Sequence, residues 1–135
     1  MALRCLIVDD NAGFLRSARL LLESEGIRVV AVASTGDEAL RHAEELRPDV
    51  LLVDIDLGSE SGLELATQFH SRPGLSPSDV ILILISTHAE EDFADLIAAS
   101  PAVGFISKSH LSACAIRQLL DRGYDGQRQR RGATK

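Results

Sequence analysis

Short, continuous apolar runs alternate along the chain with longer segments in which apolar residues recur at helical spacing. The strand-like segments that contain these runs cover residues 3–8, 28–33, 50–54, 80–85 and 103–106. Continuous apolar runs of this length are typical of strands that are buried on both faces of a parallel sheet. Because a helix-length segment follows each run, the pattern predicts right-handed βαβ units around a parallel sheet.

The segments between the runs predict five helices, over about residues 11–25, 37–47, 62–71, 89–99 and 109–122. Gly26 and Pro48 are typical of helix ends and should terminate the first two helices. Ser109 is expected to cap the last one. Residues 55–61 are predicted to be a loop, and residues 72–78, which are rich in Pro, Gly and Ser, a connector.

Charge divides the chain into two parts. Residues 1–122 carry 10 Lys and Arg against 19 Asp and Glu, whereas residues 123–135 carry 4 against 1. We therefore expect one domain over residues 1–122, followed by a basic tail that is disordered or a linker stub. The acidic body does not favour direct nucleic-acid binding by this chain. No apolar stretch approaches a membrane span and no signal-peptide pattern is present, so we expect a cytoplasmic protein without a membrane partner.

Residues suited to phosphate or metal chemistry follow four of the predicted strands. They are Asp9 and Asp10, Asp54, Ser86 and Lys108. The carboxyl ends of parallel strands meet in one crevice, so these side chains should lie close together. Gathered carboxylates repel one another, and Mg²⁺, which prefers oxygen ligands, relieves that repulsion.

A phosphoryl group would find both a nucleophile and stabilising groups in this crevice. Asp54 stands alone after the central run, so it is the best candidate to form an aspartyl phosphate. Lys108 is the only Lys among residues 1–122, and its compact ammonium suits a contact with a phosphoryl oxygen. The Ser86 hydroxyl can donate to another such oxygen.

The set of strand ends resembles the receiver domain of bacterial two-component response regulators. The matching stretches are Leu6-Ile7-Val8-Asp9-Asp10, Leu51-Leu52-Val53-Asp54, Leu84-Ile85-Ser86 and Phe105-Ile106-Ser107-Lys108. The resemblance covers about residues 3–122. It implies a flavodoxin-like (βα)5 fold, a doubly wound parallel sheet in three layers with strand order 2-1-3-4-5.

The same resemblance implies a role for each site residue. Asp54 matches the phosphoacceptor, and Ser86 and Lys108 match the groups that bind the phosphoryl oxygens. Asp10 matches the direct Mg²⁺ ligand and Asp9 a ligand acting through water. The remaining metal ligands implied are Asp54 and the backbone carbonyl of Asp56.

Signalling roles and partners also come from the resemblance. Ser86 and Phe105 match the pair of residues that change position when the domain is phosphorylated. In the family, phosphorylation changes the surface formed by the fourth helix, fifth strand and fifth helix. The implied donor is a histidine kinase or histidine phosphotransfer protein, and the implied receiver of the signal is an output domain or downstream protein. A homodimer is compatible with the pattern, which assigns no face to it.

Four positions near the site depart from the family pattern or add polar groups. Gly58 and Ser109 stand where many members have Pro, which leaves open the cis peptide associated with the second position. Asp56 and Thr87 place polar side chains beside the site. We predict that these two modulate the attack of water and hence the lifetime of the phosphoryl group.

Two other functions compete with a phosphorylated switch. Asp54-Ile55-Asp56 resembles the Asp-x-Asp motif of haloacid-dehalogenase-type phosphohydrolases, but in those enzymes that motif comes first and the metal acids last. Here the acidic pair leads, and the chain has no room for a substrate cap. The second alternative is a receiver-like docking module that is never phosphorylated. We expect no enzymatic activity beyond self-phosphorylation and self-dephosphorylation.

Overall fold

Five parallel strands form the central sheet of the molecule. A computed structural model of the chain describes residues 3–58, 60–75, 79–87 and 94–121. The strands are, in chain order, β1 (Arg4–Val8), β2 (Arg28–Ala33), β3 (Val50–Asp54), the two-residue strands β4 (Asp56–Leu57) and β5 (Glu60–Ser61), β6 (Ile81–Ser86) and β7 (Gly104–Ser107). The sheet has the order β2-β1-β3-β6-β7, and β4 and β5 pair separately. Counting the sheet strands alone, the predicted order 2-1-3-4-5 is confirmed.

Helices cover both faces of this sheet. They are α1 (Ala12–Ser24), α2 (Gly36–Leu46), α3 (Gly62–His70), α4 (Ala94–Ala99) and α5 over residues 113–121. Buried residues of α1 and α5 pack together on one face, and those of α2, α3 and α4 pack on the other. The result is the expected three-layer α/β fold.

The alternation of side chains along each strand explains both layers. On β1, Cys5 and Ile7 point towards α1 and α5, whereas Leu6 and Val8 point towards α2 and α3. All four are buried, as are all residues of β3 and β6, so the strands carry unbroken apolar runs. Burial raises the pKa of the Cys5 thiol to about 12.

Side-chain caps fix where the helices begin. Asn11 accepts the Phe14 N–H at the start of α1, and Thr35 accepts the Glu38 N–H at the start of α2. Gly26 follows α1 with φ of +91°, as a helix-terminating glycine should. These ends lie within a residue or two of the predicted ones.

Two of the sequence-based expectations about local structure are wrong. The segment predicted as a loop, residues 55–61, contains the β4–β5 hairpin. Ser109 does not cap the last helix, because Lys108–His110 forms a 3₁₀ turn and the cap falls on Ser112, whose hydroxyl accepts the Ala115 N–H at 3.0 Å. The described peptide bonds include no cis bond.

Parts of the expected structure lie outside the described residues. These are the beginning of the fourth predicted helix, part of the connector and the basic tail, within residues 88–93, 76–78 and 122–135. Among the residues that are described, no helix has the length and apolar character needed to cross a bilayer.

Candidate functional site

The carboxyl ends of four neighbouring strands bring the expected chemical groups together. Asp9 directly follows β1, Asp54 ends β3, Ser86 ends β6 and Lys108 directly follows β7. Because all four strands run in the same direction, their ends meet at one edge of the sheet. A crevice of about 200 Å³ lies there, and its walls are formed by Asp10, Asn11, Asp54, Asp56, Gly58, Ser86, Thr87 and Lys108.

Asp54 is a buried carboxylate with two hydrogen-bond donors. Its Oδ1 accepts the backbone N–H of Asp56 at 3.1 Å, and its Oδ2 accepts from Lys108 Nζ at 3.1 Å. Burial raises the pKa of Asp54 above its ordinary value; the two donors lower it in part, and the charge of Asp9 raises it again. One charged donor and one backbone donor therefore keep a buried anion in place.

Lys108 lies between two buried carboxylates. Its Nζ is 2.5 Å from Asp9 Oδ2 and 3.1 Å from Asp54 Oδ2, and only 12% of its side chain is exposed. Burial by itself lowers the pKa of Lys108, but the contacts with Asp9 and Asp54 outweigh it and hold the pKa above its ordinary value. The ammonium thus stays charged and pointed at Asp54.

The two adjacent acids, Asp9 and Asp10, occupy different environments. Asp9 is fully buried and its Oδ1 accepts the Asn11 N–H at 2.9 Å, whereas Asp10 is exposed and lines the crevice. One carboxylate oxygen from each of Asp9, Asp10 and Asp54 lies within 4.8 Å of the others. A hard divalent cation takes such oxygens together with water, and the exposure of Asp10 leaves room for water. The three residues could therefore hold a metal ion.

The β4–β5 hairpin carries the next wall of the crevice. The Asp56 side chain is exposed, and its Oδ1 accepts the Gly58 N–H at 3.3 Å. Gly58 has φ of +73°, and a Cβ added there would lie 3.0 Å from Asp10 Oδ2. A glycine at this position therefore lets the hairpin approach the Asp10 carboxylate closely.

The remaining expected residues divide into two groups. Ser86 is buried and Thr87 exposed, and both line the crevice. Phe105, in contrast, is half-buried and packs against the core on the α2–α4 face, although it pairs in register with Leu84 of β6. Phe105 does not line the crevice, but it lies on the strand that leads into Lys108 and pairs with the strand that ends in Ser86.

Two residues at the site were not predicted from the sequence: Asn11, which lines the crevice, and Phe14 on the first turn of α1. Lys108 Nζ lies 4.5 Å from the centre of its ring. Phe14 lies at helical spacing with Leu15 and Ala18, which is typical of a core position, and the residue does pack against the α1–α5 core. Its second contact carries no sequence signal, because Lys108 lies almost a hundred residues away along the chain.

Comparison with known proteins identifies relatives of the chain. A family model for the response regulator receiver domain matches residues 5–121. The response regulator GacA of Pseudomonas viridiflava is 31% identical over 109 residues, which are 78% of this chain and 48% of GacA. The response regulator UvrY of Escherichia coli K12 is 33% identical over 127 residues, which are 91% of this chain and 55% of UvrY. The chain spans about half the length of these curated relatives.

A similar fold occurs among solved structures. A CheY-like response regulator receiver domain protein from Methanospirillum hungatei JF-1 superimposes with a TM-score of 0.74 and 26% identity. The match covers 96% of this chain and 99% of the other. The similarity therefore extends over the sheet and both helical layers.

Proposed function

The chain belongs to the receiver-domain family of response regulators, and from this premise we propose that Asp54 accepts a phosphoryl group from a phosphohistidine donor. Receiver domains of this family serve two-component phosphorelay signalling. The observation that carries the assignment is the buried Asp54 carboxylate, which lies beside Asp9 and Asp10 and contacts the Lys108 ammonium at 3.1 Å.

The transfer needs one bond made and one bond broken. A carboxylate oxygen of Asp54 attacks the phosphorus of the donor, the P–N bond breaks, and its electron pair returns to the imidazole nitrogen of the donor. Asp54 must be ionised to attack, and the Asp56 N–H and Lys108 favour that form. Hydrolysis of the aspartyl phosphate by water returns the free carboxylate and inorganic phosphate.

Lys108 and Ser86 are proposed to bind the phosphoryl oxygens. Both groups line the crevice into which the phosphoryl group would extend from Asp54. Fixed donors and charges of this kind stabilise the charge that spreads over a transferring phosphoryl group. No proton transfer by the protein is required, so catalysis here is positioning and electrostatics.

The three acids are proposed to hold Mg²⁺. Asp10 would be a direct ligand and Asp9 would act largely through water, with Asp54 and the Asp56 backbone carbonyl completing the protein ligands. When bound, Mg²⁺ supplies positive charge beside the incoming phosphoryl oxygens and offsets the repulsion among the carboxylates. The donor set, three carboxylates with one side open to water, fits that ion.

The signal is proposed to leave through the surface of α4, β7 and α5. Ser86 and Phe105 lie on neighbouring strands, so a shift of the hydroxyl towards a phosphoryl oxygen can be accompanied by a new position of the ring. A histidine kinase or phosphotransfer protein would be the donor, and an output domain or downstream protein would read the surface. The cytoplasmic location and the division into a domain, residues 1–122, and a basic tail, residues 123–135, stay predictions.

Incubation with acetyl phosphate tests the proposal. Intact-mass measurement should find a phosphate adduct on the wild type that requires Mg²⁺, and no adduct on Asp54→Asn, which keeps the shape of the side chain. Asp37→Asn, at an exposed acid in the first turn of α2, is the matched control and should keep the adduct. A wild type without any adduct would favour the unphosphorylated docking module.

Titration with Mg²⁺ alone tests the ligand assignment separately. By calorimetry we expect Asp10→Ala to lose most of the affinity and Asp37→Ala to keep it. Equal affinities in the two variants would remove Asp10 from the ligand set. This readout does not depend on phosphorylation.

A further inference from the structure

We propose that Phe14 is a positioning residue for phosphoryl transfer, whose ring face holds the Lys108 ammonium in the crevice. This inference rests on the proposed function and assigns a role to a residue outside the expected site. It begins from one contact, the 4.5 Å separation between Lys108 Nζ and the centre of the Phe14 ring.

The contact falls in the range where an ammonium is attracted by the electrons of an aromatic face. Such contacts are weak in water and stronger when the cation is withdrawn from it. Lys108 has only 12% of its side chain exposed, and Phe14 is half-buried. The ring therefore covers a charged group that has little access to water.

A chain of hydrogen bonds fixes the position of the ring. Asp9 Oδ1 accepts the Asn11 N–H at 2.9 Å, and Asn11 Oδ1 accepts the Phe14 N–H at 3.0 Å. Asp9 Oδ2 in turn contacts Lys108. Asp9, Asn11, Phe14 and Lys108 therefore form a closed set of contacts. The Asp9 carboxylate accepts a hydrogen bond at the start of α1 and also contacts the ammonium that lies against the Phe14 ring.

The ring differs from the other partners of Lys108 because it takes no part in the chemistry. Asp54 changes from a free carboxylate to an acyl phosphate during the reaction, so its contact with Lys108 must change. The Phe14 face stays the same before and after transfer. It can therefore keep the ammonium within reach of the phosphoryl oxygens while the carboxylate partner changes, which is a contribution of position rather than of bonding to the phosphoryl group.

Fluorination of the Phe14 ring distinguishes the electrostatic effect of its face from the effect of its shape, because fluorine changes the ring electrons more than the ring size. Site-specific incorporation of mono-, di- and trifluorophenylalanine at position 14 should slow phosphorylation by acetyl phosphate in steps, to roughly three- to tenfold below the wild-type rate, since fluorine weakens the attraction of the face for a cation. Phe14→Tyr should retain the rate, and Phe14→Leu should lose at least as much as the trifluoro variant. The same series at Phe69, which is fully buried in the opposite layer, is the matched control and should leave the rate unchanged.

A structural readout accompanies the rates. The ε-methylene protons of Lys108 should show an upfield ring-current shift in the NMR spectrum of the unphosphorylated wild type, and Phe14→Leu should abolish it. Equal rates across the Phe14 series, with the adduct still forming on Asp54, would overturn this inference and leave the proposed function standing. Absence of any adduct on the wild type would overturn both.

Discussion

Both ends of the sheet carry charged residues, but some of these residues are buried at the carboxyl end, whereas those at the amino end are more exposed. At the carboxyl end, Asp9 and Asp54 are buried and share Lys108. At the amino end, Arg4 and Arg28 stand in register on neighbouring strands, beside a groove of about 400 Å³. That groove has twice the volume of the acidic crevice.

Burial of charge, rather than volume, distinguishes the carboxyl end. None of the charged side chains that line the arginine-lined groove is buried, and the ion pair of Arg19 with Glu23 spans 3.6 Å between side chains that are 49% and 43% exposed. An exposed pair of this kind contributes little to stability. At the carboxyl end, one ammonium serves two buried carboxylates, so the buried charges do not balance and the site is retained at a cost to stability. The comparison predicts that substitutions at the two ends change the phosphorylation rate by different amounts and change the free energy of unfolding with opposite sign.

The largest difference should appear when one cation is removed from each end. Lys108→Ala should slow phosphorylation by acetyl phosphate about a hundredfold or more, as expected for loss of a charged group at a developing charge. Arg28→Ala should leave the rate unchanged. Circular dichroism checks that both variants fold, and Lys108→Arg, which keeps the charge but not the compact shape, should also be slow. Similar rates for Lys108→Ala and Arg28→Ala would erase the distinction between the two ends.

The sign of a stability change should reverse between the ends. Asp54→Asn should raise the free energy of unfolding by roughly 1–2 kcal/mol at pH 7, because burial disfavours the charged form of Asp54 and Lys108 keeps Asp9 as its partner. Asp49→Ala should lower it by about 0.5–1 kcal/mol, because Asp49 accepts the Arg4 N–H at 2.9 Å and alanine has no acceptor. Urea denaturation measures both changes, and a loss of stability in Asp54→Asn would contradict the expected penalty for burying Asp54.

The pH dependence of the Asp54→Asn effect follows from its cause. Because the pKa of Asp54 is raised on folding, the folded state binds more protons than the unfolded state just above pH 3.8. The wild type therefore loses stability as pH rises through that window. The advantage of Asp54→Asn should be present at neutral pH and disappear as pH falls below 3.8.

Two glycines with positive φ, one beside the crevice and one after α1, allow a comparison of smaller effects. Gly58 and Gly26 have φ of +73° and +91°, so alanine strains the backbone at either position by about 1 kcal/mol. Only at Gly58 would the added Cβ approach Asp10, at 3.0 Å from Oδ2. By calorimetry, Gly58→Ala should weaken Mg²⁺ binding roughly fivefold, the equivalent of about 1 kcal/mol, while Gly26→Ala should not. Equal affinities would show that the hairpin does not position Asp10.

The smallest effect is expected from the exposed polar side chains at the rim of the crevice. Asp56→Ala and Thr87→Ala should each change the lifetime of the phosphorylated state roughly two- to fivefold, the size of one hydrogen bond. Asp37→Ala, at an exposed acid that does not line the crevice, should not change it. The decay of the phosphate adduct after removal of the donor measures the lifetime, and rates identical to wild type would remove both residues from this role.

The strands and the meeting of their ends could be predicted from the sequence because both follow from local patterns. Val50–Asp54 is apolar without interruption up to its carboxylate, so its burial and its end could be predicted together. The carboxyl ends of parallel strands meet at one edge of the sheet, so the proximity of Asp54 and Lys108 could be predicted from their positions at strand ends.

Features that depend on tertiary contacts or on very short elements could not be predicted from the sequence. The hairpin of β4 and β5 has two residues per strand, too few for any periodicity. The cap of α5 moved to Ser112 because residues 108–110 form a 3₁₀ turn first. Phe14 looked like any core residue on an amphipathic helix, since its contact with Lys108 exists only in the folded chain.

The most direct test of the central claim is chemical trapping of the phosphorylated residue. After reaction with acetyl phosphate and Mg²⁺, borohydride reduces an aspartyl phosphate to homoserine, and peptide mapping locates the product. We expect homoserine at position 54 in the wild type and none in Asp54→Asn. Homoserine at position 9, 10 or 56, or at no position in a protein that has taken up phosphate, would contradict the assignment of Asp54 as the phosphoacceptor.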